Sequence, residues 1–103
     1  MKYLIVVHRH RLRHWNYDIL YKPSLLDRLR GREPNDWGCQ YETCCPYAMR
    51  YEMRGWKYLC SGDTAHIESV LKDMGLRDEY DLEGLLRWLK RLYPGATIVV
   101  EEV

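Results

Sequence analysis

Histidine and arginine interleave near the start of the chain, in His8-Arg9-His10-Arg11-Leu12-Arg13-His14, and no other stretch gathers as much positive and titratable chemistry. Guanidinium groups bind phosphate and carboxylate in a fork, and imidazole titrates near neutral pH or ligates metals. In extended backbone the period of two puts Arg9, Arg11 and Arg13 on one side and His8, His10 and His14 on the other. Trp15 and Tyr17 follow directly, and rings beside a basic strand end suit phosphate or single-stranded nucleic acid through charge and stacking. The candidate nucleic-acid or phosphate-binding set is therefore Arg9, Arg11, Arg13, Trp15 and Tyr17, for a partner that is RNA, DNA or a nucleotide. The bland alternative is a solvated strand end whose arginines pair with the chain's own carboxylates, at roughly 0 to 1 kcal/mol per pair.

A catalytic reading gives the same stretch to His8, His10 and His14 as general acid, base or metal ligands of a phosphodiesterase or nuclease. His8, His14 and the following Trp15-Asn16 resemble the opening of the 3′-phosphoesterase domain found with bacterial DNA repair ligases, where a strand leads into two histidines and an acidic residue. Asn16 stands at the position of the acid. His8-Arg9-His10 resembles the His-hydrophobic-His element of rolling-circle nucleases and small transposases, which use a ferredoxin-like sheet; Arg9 departs from that pattern. Neither resemblance assigns the chain to a family.

Four cysteines form a second constellation, Cys39, Cys44, Cys45 and Cys60. They equal the ligand count of a tetrahedral zinc site, yet lack the paired C-x2-C spacing that marks one. Neighbouring Cys44 and Cys45 point to opposite faces of any extended segment, so one of them falls outside such a site. The other readings are free buried thiols, or a disulfide joining Cys60 to Cys39, Cys44 or Cys45, as hyperthermophile cytosol tolerates. No P-loop, dinucleotide fingerprint, EF-hand or paired-carboxylate motif occurs, so no cofactor is expected.

Charge sharpens the N-terminal candidate. Residues Met1 to Arg32 hold eight Lys/Arg against two Asp, whereas the remainder holds eight against thirteen Asp/Glu, so a net charge of +1 hides a strong asymmetry. Segment charge speaks of partners, and here it favours an anion. Nine Tyr and four Trp with no Phe give aromatic surface with polar tips, of the kind that interfaces use. This supports a rival reading as a protein-interaction module, such as a virus-encoded or accessory factor that inhibits or adapts a larger complex. No secretory leader and no run of about 18 apolar residues is seen, which gives the expectation of a cytoplasmic protein with no membrane contact.

The positioning elements follow from periodicity. At 103 residues the chain fits one domain, 1–103. Tyr3 to Val7 reads as a strand covered on both faces. Tyr17, Ile19 and Tyr21 alternate in a segment that is either a short strand or an extended connection. Ser24 and Asp27 have capping-box spacing before a short helix with Leu25, Leu26 and Leu29 on one face, and Gly31 stops it. Alternation of Tyr47, Met49, Tyr51 and Met53 predicts a strand, paired as a hairpin with Trp56 to Ser61 around Gly55. Ile67, Val70, Leu71 and Met74 mark one helix, with Asp63 or Thr64 as cap; Leu82, Leu85, Leu86, Leu89 and Leu92 mark another, capped by Asp81. Thr97 to Val100 closes the chain as a strand. This order predicts an α+β, ferredoxin-like (split βαβ) antiparallel sheet of about four strands, with two or three helices on one face. The first strand's other face then needs a cover, either the segment from Gly31 to Pro46 or a second copy in a homodimer.

Overall fold

A computed structural model describes residues 1–9, 11, 13–42, 46–65 and 67–102, the side chains of Pro46 and Tyr47 excepted. Strands β1 (Lys2–Arg9), β2 (Asn16–Lys22), β3 (Lys57–Asp63) and β4 (Thr97–Glu102) form one sheet in the order β3-β2-β1-β4. β2 runs antiparallel to both β1 and β3, while β4 lies parallel to β1 with Ile98 beside Ile5. The α+β class holds, but the sheet is mixed rather than antiparallel, and β1 and β2 are hairpin neighbours. The difference arises at two segments. Asn16–Lys22 becomes the second strand, and the alternating stretch after Cys45 becomes a helix instead of half a hairpin.

That helix, α2 (Pro46–Glu52), starts on proline, whose fixed φ and missing N–H suit a first turn. It buries Ala48 and Tyr51, three residues apart on one helical face, and leaves Met49 exposed, as is Met53 in the turn that follows. Ala48 and Tyr51 pack with Leu4, Val6 and Leu20 on one face of the sheet. The second face of β1 is thus covered by α2, which starts at Pro46 where the expected covering segment ends, and a second copy is not needed for it. The opposite face carries Ile5, Val7, Tyr17 and Ile19 under α3 (Glu68–Met74) and α4 (Leu82–Leu92). Helices therefore flank both faces.

Capping chemistry agrees with the sequence in part. Asp81 accepts from the Gly84 N–H at the start of α4, and Gly75 ends α3 in the left-handed region at φ 71. α3 begins after Ile67 without a side-chain cap, because Asp63 lies in β3 and Thr64 bonds to Trp15 and Glu79. Ser24 and Asp27 form the expected capping box on α1 (Leu25–Leu29), yet this helix buries Asp27 and leaves Leu25, Leu26 and Leu29 exposed. Among the described residues no helix is long and apolar enough to cross a membrane.

Candidate functional site

The β1–β2 hairpin tip carries the basic cluster. Arg9 ends β1 facing α3 and α4; its guanidinium lies 4.5 Å above the Trp15 ring and pairs with Glu102, the residue opposite it in β4. Arg11 has φ 54, in the left-handed region that side chains other than glycine rarely enter. Arg11 and Arg13 are both exposed and form no ion pair among the described residues. His14 is half-buried, with Nε2 4.0 Å from Asp63 Oδ2. His10 and Leu12 lie outside the described residues.

The two aromatic candidates are walls, not platforms. Trp15 is buried, its indole N–H donating to the Tyr80 carbonyl, and its backbone exchanges hydrogen bonds with Thr64. Tyr17 is fully buried with its hydroxyl donating to the Gly38 carbonyl at 2.7 Å, and burial foremost, then Tyr93, pushes its phenol up. The ring lies against Gly62, its partner across the sheet, where a Cβ would collide with it. A base therefore cannot stack on either. Tyr80, about half exposed and with its backbone carbonyl bonded to the Trp15 indole, carries an exposed ring in this region.

Behind the tip, on the α2 face, lies a buried polar network that the sequence did not reveal. The register places Val6, Asp18 and Ser61 in one row across the sheet, and His8, Asn16 and Asp63 in the next. His8 Nε2 stands 3.0 Å from Asp18 Oδ2, and Ser61 Oγ donates to Asp18 Oδ1 at 2.5 Å. The Tyr58 hydroxyl joins Ser61 Oγ. A β-bulge makes this possible. Ile19 pairs with Cys60 but Leu20 with Tyr58, so Leu59 is the extra residue and Tyr58 and Ser61, three apart, reach the same face. Alongside, Glu101 accepts from the Tyr51 hydroxyl at 3.1 Å and pairs with Arg50.

This arrangement stabilises more readily than it reacts. In a Ser-His-Asp triad the imidazole bridges hydroxyl and carboxylate, whereas here Asp18 is the bridge and Ser61 donates to it. His8 is buried against Asp18 and His14 stands near Asp63, while His10, the third candidate of the catalytic reading, lies outside the described residues. Tyr41, whose hydroxyl donates to Asp63, has its phenol raised by burial first and by that carboxylate second, which keeps it a donor.

The cysteine alternatives also separate. Cys39 and Cys60 form a disulfide with Cα atoms 5.5 Å apart, tying the loop after α1 to β3. Two of the four thiolates of the zinc reading are thus consumed, and Cys44 and Cys45 lie outside the described residues. Among the described residues no group of three or more His, Cys, Asp or Glu could hold a metal ion.

No family model, curated protein or solved structure matches the chain. Any reading of its function therefore rests on its own residues. The register signal for the network was present in principle, since His8 and Asp18 are ten apart around a hairpin. It becomes visible only once residues 16–22 are known to be a strand. Ser61 follows from its pairing with Asp18, whereas Tyr58 depends on the bulge, for which the sequence offered no marker.

Proposed function

We propose that the hairpin tip binds a phosphate-bearing partner, single-stranded nucleic acid, through Arg11 and Arg13, with Arg9 and His14 beside them. The observation that carries this reading is the exposure of two arginines one residue apart in sequence, with no carboxylate partner among the described residues, one of them in a left-handed backbone. Exposed cations attract a phosphate chain and release its counterions. Strain at a non-glycine residue is retained where side-chain identity matters more than local stability. Tyr80, in place of Trp15 and Tyr17, supplies the open ring for stacking.

The test is anisotropy of labelled oligo-dT and oligo-U over a salt series. Binding should weaken steeply with salt, and Arg11→Glu with Arg13→Glu should lower the log-log slope by about 1.4, from about 0.7 per phosphate contact on single strands. Affinity that ignores salt, or survives both substitutions, would sink the reading. The protein-interaction alternative keeps one supporting observation, the exposed Trp37 beside a shallow depression lined by Met74 and Trp88. With α2 covering the second face of β1, a homodimer is no longer required to complete the core.

A further inference from the structure

At the end of the sheet opposite the tip, apolar and basic side chains stand out together. Leu25, Leu26 and Leu29 on α1 are 72%, 61% and 75% exposed, and Met53, in the turn after α2, is 90% exposed. The Lys22 ammonium donates to the Arg54 carbonyl at 3.2 Å, which holds that turn beside the strand leading into α1. The orientation of α1 is fixed, because its buried Asp27 bonds the Ser24 N–H and hydroxyl and lies 2.9 Å from the Met1 nitrogen. Arg28 and Arg30 flank the leucines, both exposed.

The sheet end beneath them is basic as well. Lys2 sits directly opposite Lys22 across β1 and β2, and Lys57 pairs with Tyr21 on the next strand. Like charges facing each other across a ladder are unfavourable, so this pairing works against the fold unless something anionic covers it. Asp27, the carboxylate on α1 itself, is already engaged by the Met1 nitrogen and Ser24.

We infer that this end docks on the surface of an anionic lipid bilayer, with Leu25, Leu26 and Leu29 inserted at the headgroup boundary and the surrounding lysines and arginines on acidic headgroups. A convex apolar turn ringed by cations is the form that interfacial insertion uses. A second copy is disfavoured, because a two-fold contact through this patch brings the same cations face to face. A partner protein would have to supply the groove, since the single turn of α1 forms none.

The experiment is co-sedimentation of the full chain with vesicles of phosphatidylcholine alone and of phosphatidylcholine mixed with phosphatidylserine. Binding is expected to the mixed vesicles only. It should fall at least about tenfold in the Leu25→Ser, Leu26→Ser, Leu29→Ser variant and on replacing Arg28 and Arg30 by Gln. Thermal melting of these variants should be unchanged, as the altered side chains are exposed. The Arg11→Glu, Arg13→Glu variant should sediment like the unmodified chain, which separates this site from the tip. Absence of sedimentation, equal binding to neutral vesicles, full binding by the serine variant, or a dimer that the serine changes convert to monomer would each overturn the inference.

Discussion

The two faces of the sheet solve the same burial problem differently. Under α3 and α4, Ile5, Val7, Tyr17 and Ile19 meet Leu85 and Leu89, and the face is closed with side chains that need few partners. Under α2, Leu4, Val6 and Leu20 close only part of the face, and the part toward the tip is filled by His8, Asp18 and Ser61. An apolar face tolerates local repacking, whereas a buried carboxylate tolerates nothing that removes its donors. The polar face is therefore where single substitutions should cost most per atom removed.

Asp18→Ala gives the largest expected effect, a loss of about 3 to 5 kcal/mol, as for one member of a buried pair. Leu89→Ala, on the apolar face, should cost about 2 to 5 kcal/mol according to how far the site collapses. Urea denaturation of both variants checks the contrast. A loss below about 1 kcal/mol for Asp18→Ala would mean that the network is solvated rather than buried.

The disulfide links the two regions, since Cys60 packs in the apolar cluster while Ser61 beside it serves the polar one. Reducing a bridge across a 21-residue separation should destabilise by about 3 kcal/mol in the chain-entropy account. A thiol count under denaturing conditions before and after reductant, with melting followed by circular dichroism, gives the result. If reduction left stability unchanged, register rather than the cross-link would be holding β3 in place.

How far the sequence revealed these two faces follows from period. α4 was readable because Leu82, Leu85 and Leu89 repeat at helical spacing between an Asp cap and Pro94-Gly95. β1 was readable because an unbroken β-branched run has few other fates. α2 was misread because Tyr47, Met49, Tyr51 and Met53 alternate like a strand, while the burial that decides the matter needs only Ala48 and Tyr51. α1 was located and capped correctly, and its leucines, read as one face, stand exposed. The capping carboxylate Asp27 took the buried position instead. At the site, the arginines were legible as composition. The burial of Trp15 and Tyr17 was not, because alternation assigns a residue to a face without saying what covers it.

Arg11→Gly sets the tip against the rest of the fold. At φ 54 glycine has no side chain to strain, so the substitution should stabilise by about 0.5 to 1 kcal/mol. It should also weaken oligonucleotide binding, because one of the two exposed guanidinium groups is gone. Stabilisation with undiminished binding would move the anion site away from Arg11.

Acid provides the smallest contrast. Asp81, which caps the helix over the apolar face, is held at about 2 by the Arg77 guanidinium first and by the Arg77 and Gly84 backbone N–H groups after it. Asp27 is held well below the usual carboxylate range, chiefly by the Ser24 backbone N–H and then by the Met1 ammonium. A carboxylate whose folded value is depressed contributes stability above its unfolded value of about 4, and that contribution is lost as pH falls toward the folded value. The fold should thus weaken from about pH 4 downward through about pH 2. Asp81→Asn should flatten that loss while costing less than about 1 kcal/mol at neutral pH, because asparagine ranks with aspartate as a cap. Denaturant midpoints of both proteins across this range decide the point: an unaltered acid slope in Asp81→Asn would place the acid sensitivity at Asp27 instead of at Asp81.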